Sequence, residues 1–104
     1  MSIVPTKYEE AQIFALYDQQ HQYILYVWKQ CSVCPRFKTL VQDTLTSLKS
    51  NVMIREVEYT ENPTKILLET KSFPHLVKYY KSKKTKFILT DPKVEERLKK
   101  FLSE

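Results

Sequence analysis

The chain has 104 residues, a formal net charge of +5, two cysteines and no glycine. Without glycine it can hold neither a glycine-rich phosphate loop nor a dinucleotide-binding fingerprint, so any redox chemistry needs electrons from a separate partner. The start of the chain lacks the features of a signal peptide, and no apolar run approaches the about 20 residues that span a bilayer. We therefore expect one soluble, cytoplasmic domain over residues 1–104, without membrane contact.

The first half of the chain predicts a helix followed by a central strand. Thr6-Lys7-Tyr8-Glu9 matches a capping box and predicts a helix that runs to about Gln20. The predicted inner face of this helix consists of Ala11, Ile13 or Phe14, Leu16 and Tyr17. The run from Gln22 to Trp28 is apolar on both faces, which predicts a strand in the centre of a sheet that is covered on both sides.

A second helix begins near Pro35, where the missing proline N–H costs least. Its apolar stripe at helical spacing consists of Phe37, Leu40, Val41, Leu45 and Leu48. Val52 to Tyr59 is rich in Val, Ile and Met and predicts a second strand. Asn62-Pro63 then reads as an N-cap followed by proline at N1, which opens a short helix to about Thr70.

The last third predicts an antiparallel hairpin, His75–Tyr80 with Lys86–Leu89, and a closing helix. Asp91-Pro92 repeats the cap-plus-proline signal, and the inner face of the closing helix consists of Val94, Leu98, Phe101 and Leu102. The whole order indicates an α/β fold with a mixed sheet of about four strands, in which the first two are parallel. Because glycine is absent, we expect the few left-handed turn positions at residues such as Asn51.

Cys31-Ser32-Val33-Cys34 contains both cysteines of the chain, at the junction between the buried strand and the second helix. A Cys-x-x-Cys pair at such a junction is typical of a thiol–disulfide active site, and we disfavour the alternative of two small core residues. Zinc is also disfavoured, because a structural site needs four ligands and His21 and His75 lack the required spacing. We therefore expect no metal and no cofactor other than a redox-active Cys31–Cys34 disulfide.

The position of the motif also predicts which cysteine reacts first. A helix N-terminus carries about half a positive charge, which favours a thiolate, so we expect the pKa of Cys31 to lie below the about 8.5 of free cysteine. Lys29, Arg36 and Lys38 are near in sequence and would add to this field. His75 either adjoins the active site or marks the end of a strand, and we favour the strand end.

The order of elements, with Cys-x-x-Cys at the head of the helix after a central strand, resembles the thioredoxin-like superfamily. Phe73-Pro74 comes directly before a strand, forty residues after Cys34, where thioredoxin-like proteins place a cis-proline. Trp28 is similar to the aromatic residue that the family keeps near its motif. The resemblance covers the chain from about Thr6 to Ser103 and implies a three-layer α/β/α sandwich.

The resemblance also implies roles for individual residues. Cys31 would be the exposed nucleophile, Cys34 the buried resolving thiol, and Trp28, Phe73 and Pro74 the substrate-binding surface. The chain departs from the family in the Ser-Val pair between the cysteines. It also departs where thioredoxins keep a buried acid on the strand before the motif, since this strand offers Tyr26 and no carboxylate.

Three functions follow as hypotheses. The first is a monomeric thioredoxin-like oxidoreductase that reduces protein disulfides and is recharged by a separate reductase or a small-thiol pool. The second is glutaredoxin-like or bacilliredoxin-like reduction of mixed disulfides with a small thiol. The third, which the missing buried acid keeps open, is a thioredoxin-fold binding or adaptor module whose dithiol is vestigial or regulatory.

One charged segment stands apart from the motif, because lysines crowd the predicted hairpin. These are Lys78, Lys81, Lys83, Lys84 and Lys86. We favour a solvated turn with edge-protecting lysines over a patch for acidic partners or nucleic acid. No aromatic-interleaved nucleic-acid motif accompanies the lysines, so nucleic acid is an unfavoured partner.

Overall fold

The computed structural model describes residues 2–16, 20–81, 83–89 and 93–103. Within these residues the strands are β1 Ile3–Pro5, β2 Gln22–Val27, β3 Ile54–Glu58, β4 His75–Tyr80 and β5 Lys83–Lys86. The helices are α1 Tyr8–Ala15, α2 Cys34–Ser47, α3 Pro63–Glu69 and α4 Val94–Ser103, and a short 3-10 helix covers Tyr59–Glu61.

The strands form one mixed sheet in the order β1-β3-β2-β4-β5. β1 and β2 both pair with β3 in parallel, whereas β4 runs antiparallel to β2 and to β5. The predicted parallel pairing of the first two strands and the predicted hairpin are therefore confirmed. Every residue of β2 is buried, as expected for the central strand.

Helices cover both faces of the sheet and complete the predicted three-layer sandwich. On one face, α2 and α4 enclose the larger core around Leu25, with Phe37, Val41, Leu45, Leu98, Phe101 and Leu102. On the other face, α1 and α3 enclose a smaller core that contains Ala11, Ile24, Tyr26, Val57, Ile66 and Val77. The alternation of β2 side chains between these two cores explains why the strand is apolar throughout.

The N-terminal segment differs from the prediction, because it adds the edge strand β1. Ile3 lies opposite Ile54 of β3 and is buried. The predicted capping role of Thr6 is wrong. Its N–H continues the pairing with β3 by donating to the Glu56 carbonyl at 2.8 Å, and its hydroxyl donates to the Val4 carbonyl. Lys7 instead precedes α1, without a side-chain cap.

Two predicted boundaries also differ from the structure. Helix α1 ends at Ala15, and Ile13 and Leu16 of its predicted inner face are exposed. The second hairpin strand is Lys83–Lys86 rather than Lys86–Leu89, although the Phe87 N–H still bonds to the Leu76 carbonyl. The predictions for Tyr17 and for Asp91-Pro92 concern positions outside the described residues.

Helix α2 ends in a left-handed turn made without glycine. Lys49 has a φ of 52°, and the hydrogen bonds Lys49 N–H to Thr46 O and Ser50 N–H to Leu45 O form the pattern of a Schellman motif. Among the described residues Lys81 is the other non-glycine residue with positive φ, at 48°. The expectation of a left-handed Asn51 is therefore wrong, and a lysine holds the position that most proteins give to glycine.

The lysine-rich segment is not uniformly solvated, because Lys78 is buried. Its Nζ donates to the Phe101 carbonyl at 3.3 Å and lies 4.6 Å from the centre of the Phe101 ring. Lys78 thus joins β4 to α4, whereas Lys81, Lys83, Lys84 and Lys86 are exposed. The prediction of a solvated hairpin fails at this position because the side chain points to the core face of the sheet.

Candidate active site

The two cysteines meet where β2 feeds into α2. Cys34 is the first residue of α2, Pro35 occupies the first turn, and a loop from Trp28 to Val33 carries Cys31 back over the helix end. Their Cα atoms are 5.4 Å apart, and the sulfurs form a disulfide. Cys34 is 4% exposed, while Cys31 is half-buried. The pair thus presents one sulfur toward solvent and one toward the core.

The Cys31 sulfur faces groups that stabilise negative charge. The Cys34 N–H donates to the Cys31 Sγ at 3.1 Å, and this sulfur lies at the N-terminus of a helix of 14 residues. The Cys31 N–H is itself tied to the Trp28 carbonyl at 2.9 Å, which fixes the loop. Of these features, the helix N-terminus and the Cys34 N–H favour a thiolate once the disulfide is reduced, whereas the Phe73 carbonyl oxygen near the same sulfur opposes it.

Phe73 and Pro74 lie beside the disulfide. The Phe73 carbonyl oxygen is 3.3 Å from the Cys31 Sγ, and the Phe73-Pro74 peptide bond is cis. The structure therefore brings together two segments that are far apart in sequence. Pro74 is buried, whereas the Phe73 side chain is half-buried.

Trp28 belongs to an aromatic cluster with Phe73 and Tyr59. The ring centres are 6.3 Å apart for Trp28 and Phe73, 5.7 Å for Trp28 and Tyr59, and 5.3 Å for Tyr59 and Phe73. All three side chains are partly exposed. Sequence reasoning missed Tyr59, because it comes from the 3-10 helix after β3 and nothing in the sequence pairs it with Trp28.

A cavity of about 580 Å³ adjoins both cysteines. Its charged lining consists of Lys29, Lys38, Asp43, Glu56 and Glu58. Lys38 lies one helical turn after Cys34 on the same face of α2, and its Nζ is 3.1 Å from Glu56 Oε1. The Glu56 side chain is only 13% exposed. This places a shielded carboxylate in the same cavity as the buried thiol.

The carboxylates of β3 were missed by the sequence prediction, which considered only the strand before the motif. Glu56 and Glu58 are two residues apart, so they share a face of β3, and they lie beside Leu25 and Val27 of β2. Only the parallel pairing of β2 with β3 places them in the cavity that both cysteines line. The alternation of acidic and apolar residues in β3 was the available signal.

The two carboxylates differ in their surroundings. Burial raises the pKa of Glu58, but hydrogen bonds from Thr60 and the nearby Lys29 outweigh this and hold it below its usual value. The Thr60 N–H and hydroxyl both donate to Glu58 Oε2 at 2.6 Å. Glu56 has the Lys38 ammonium as its partner instead. Of the cations expected to act on Cys31, Lys29 and Lys38 line the cavity, while Arg36 is exposed outside it.

Neither histidine lines the cavity beside the cysteines. His75 Nε2 is 3.2 Å from Glu69 Oε2, and the ring stacks on Tyr26 at 6.1 Å, so His75 anchors the start of β4. The His21 ring centre is 4.3 Å from that of Tyr80. Across the described ranges, no cluster of three or more His, Cys, Asp or Glu side chains is arranged to hold a metal ion. The same residues include no helix that is long and apolar enough to cross a membrane.

Solved structures with this architecture are of thioredoxin type. The chain matches the J-Trx1 fragment of ERdj5 with a TM-score of 0.77 and 13% identity, over 98% of this chain and 50% of that chain. It matches reduced Schistosoma mansoni thioredoxin pre-protein with a TM-score of 0.69 and 15% identity, over 97% and 99% of the two chains. Chloroplastic thioredoxin z gives a TM-score of 0.71 and 13% identity, over 100% and 97%.

These similarities establish the fold of the chain and do not establish its activity. At such identities the shared feature is the thioredoxin fold, here with a disulfide-forming Cys-x-x-Cys pair at a helix start. No family model matches the sequence. No curated protein matches it either.

Proposed function

We propose that the protein catalyses thiol–disulfide exchange on protein disulfides through Cys31 and Cys34. The observation that carries this proposal is the asymmetry of the pair. Cys31 is half-buried at a helix N-terminus, and its sulfur accepts a hydrogen bond from the Cys34 N–H. A disulfide joins Cys31 to Cys34, which is buried. One sulfur is accessible for attack and the other is held within reach of it, which is what a two-step exchange requires.

The exchange begins with the reduced dithiol. The Cys31 thiolate attacks one sulfur of the substrate disulfide, the substrate bond breaks, and the other substrate sulfur leaves as a thiolate that is protonated by solvent. Cys34 then loses its proton and attacks the Cys31 sulfur. The mixed disulfide breaks, the second substrate sulfur leaves, and two electrons have passed from the dithiol to the substrate. A separate reductase or a thiol pool returns the two electrons.

The second step needs an acceptor for the proton of Cys34, which has little access to solvent. We assign this role to the Glu56 carboxylate, with Lys38 as the residue that positions it. Both side chains line the cavity that Cys34 lines, and the ion pair of 3.1 Å holds Glu56 there. A carboxylate within reach of a thiol, directly or through one water molecule, is suited to general-base catalysis. This arrangement weakens the adaptor hypothesis, which depended on the absence of an acid.

The substrate is proposed to lie against Trp28 and Phe73, because these half-buried rings flank Cys31. Pro74 is buried, so its proposed part is to hold the Phe73 carbonyl beside the sulfur.

A small anionic thiol is a less suitable substrate. The cavity beside the cysteines is lined by two ammonium groups and three carboxylates. They belong to Lys29 and Lys38, and to Asp43, Glu56 and Glu58. An anion would therefore meet net negative charge.

An activity comparison tests the proposal. Insulin reduction with a thioredoxin reductase or dithiothreitol as donor should exceed a glutathione-coupled assay, and Cys31→Ser should abolish both. Preference for the glutathione-coupled reaction would favour the second hypothesis. Inactivity of the wild type in both assays would favour the adaptor module and contradict the proposed function.

A further inference from the structure

A second surface lies beside the active site, on the α3 side of the sheet. We name it the lateral groove and define it by Leu67, Leu68, Lys71, His75, Lys86 and Ile88, which line a cavity of about 520 Å³. It runs between the end of α3 and the segment that follows β5. His75 lies at one end of the groove and directly follows Pro74, so the groove leads toward the Phe73 carbonyl that contacts Cys31.

Three apolar side chains that line the groove are exposed. Leu68 is 85% exposed, Ile88 58% and Leu67 41%. Two of these side chains come from α3 and one from the segment after β5, and together they line one concave surface, unlike singly scattered apolar residues. The arrangement indicates that the groove is covered by a partner.

The charges of the groove identify the kind of partner. Among the described residues that line the groove, the one carboxylate belongs to Glu69, and both of its oxygens are engaged, with His75 at 3.2 Å and Lys84 at 2.8 Å. Lys71 and Lys86 are exposed and have no carboxylate partner among the described residues. The groove is therefore positive at its rim, and a partner must supply carboxylates as well as apolar side chains.

The neighbouring strand determines the form of that partner. Among the described strands β5 lies at one edge of the sheet and pairs with β4 alone. Its exposed lysines protect this edge against another basic strand but attract one that carries carboxylates, so its outer backbone groups can accept an acidic strand. Every second side chain along this edge faces α3. These side chains are Lys84, which contacts Glu69, and Lys86 and Ile88, which line the groove. A second copy of this chain would bring lysines against lysines and is disfavoured.

We propose that the lateral groove and the edge of β5 bind an extended, acidic segment with apolar residues, in the partner protein whose disulfide Cys31 attacks. This proposal rests on the proposed function for the cysteine chemistry, but the binding itself does not. The segment adds a strand to β5, places its apolar side chains on Leu68 and Ile88, and directs its carboxylates to Lys71 and Lys86.

Binding is tested with the oxidised protein and cysteine-free peptides, so it is independent of exchange activity. Fluorescence anisotropy compares a short labelled peptide of alternating Glu and Leu with one in which Lys replaces Glu. We expect the acidic peptide to bind at least about tenfold more tightly. Leu68→Ser with Ile88→Ser, and Lys71→Glu with Lys86→Glu, should each weaken it about tenfold, and the charge reversal should improve binding of the basic peptide.

Matched controls carry the same changes on other exposed positions. Ile13→Ser with Leu16→Ser and Lys99→Glu with Lys100→Glu should change the affinity by less than about twofold.

The addition of a strand to β5 has its own control. Two acidic peptides N-methylated at every second amide, in opposite registers, should differ, because one of them loses the N–H groups that face β5. Equal binding of these two peptides would overturn the added strand.

Other results would overturn the proposal as a whole. These are equal binding of the acidic and basic peptides, wild-type affinity in both groove variants, or a preference for single-stranded DNA over the acidic peptide. Reduction of hydroxyethyl disulfide, which is neutral and too small to reach the groove, reports on the dithiol separately. Failure of that reaction in the wild type would count against the proposed function, while the peptide measurements would still decide on the groove.

Discussion

At the scale of single residues, the two cysteines differ in ways that chemistry can measure. Cys31 has a half-buried sulfur that accepts the Cys34 N–H, and Cys34 is 4% exposed. Access and thiolate character both control the rate at which a thiol reacts. The roles inferred for the pair follow from this difference and do not depend on the identity of the substrate.

In the reduced protein, Cys31 should therefore be alkylated at least about tenfold faster than Cys34 at neutral pH. Iodoacetamide labelling followed by peptide mapping measures both rates in one sample. Unfolding in urea is the control, since it should bring the two rates together. Faster labelling of Cys34 in the folded protein would reverse the assigned roles.

The proposed proton acceptor gives a second prediction at this scale. Glu56→Gln removes the base but keeps the shape, so turnover with insulin should fall about tenfold or more at neutral pH, and less in alkaline solution where the thiol ionises unaided. Glu61→Gln is a matched control, because Glu61 is exposed and lies outside the cavity. A parallel loss at every pH would indicate a structural role for Glu56 instead.

At the scale of elements, helix α2 begins at Cys34 and is followed by a residue in an unfavourable backbone conformation. Lys49 occupies the left-handed position of the Schellman motif, where a Cβ atom costs about 1 to 2 kcal/mol. No glycine is present anywhere in the chain to relieve this cost. The backbone hydrogen bonds of the motif compensate for it.

Lys49→Gly should accordingly raise the free energy of unfolding by up to about 1 kcal/mol, because it removes the Cβ at a left-handed position. Denaturant unfolding at constant pH gives the value. Lys49→Ala serves as the comparison, since it removes the charge but retains the Cβ and should give no such gain. A stabilisation by alanine equal to that by glycine would assign the effect to charge.

Three elements are joined by the contacts of Glu69. This last residue of α3 bonds to His75 at the start of β4 and to Lys84 in β5. Burial raises the pKa of Glu69, but the hydrogen bonds from His75 and Lys84 outweigh it and hold the pKa below its ordinary 4.5. A lowered pKa in the folded state stabilises the protein above the unfolded pKa, and this contribution disappears as the pH falls through the folded pKa.

We therefore expect Glu69→Gln to lower the free energy of unfolding by about 1 to 2 kcal/mol at neutral pH. The difference from wild type should shrink as the pH falls below 4.5. Thermal unfolding between pH 3 and pH 7, beside the exposed control Glu61→Gln, measures both effects. A difference that stays constant across this range would exclude the titration of Glu69 as its cause.

At the scale of the whole molecule, local patterns predicted much of the architecture. The apolar run of β2, the stripe of α2 and the Asn62 cap of α3 each depend on neighbours in sequence, and each was confirmed. The proximity of Phe73 to Cys31 was also accessible, through the spacing shared with thioredoxin-like proteins.

The missed features depend on contacts between distant segments. β1 is three residues long and exists because β3 pairs with it. Lys78 is buried because α4 offers a carbonyl and a ring above it. Glu56 lines the cavity beside the cysteines only because β2 pairs with β3, and Lys38 from α2 holds it there. No sequence window contains both partners of any of these contacts.

The most direct test of the central claim is to trap the mixed disulfide. Cys34→Ser and Cys31→Ser are each incubated with an oxidised protein substrate such as insulin, and intact mass spectrometry detects the covalent complex. Exchange through an attacking Cys31 and a resolving Cys34 predicts a stable complex with Cys34→Ser, almost none with Cys31→Ser, and only a transient one with wild type. A complex that accumulates with Cys31→Ser, or with neither variant, would contradict it.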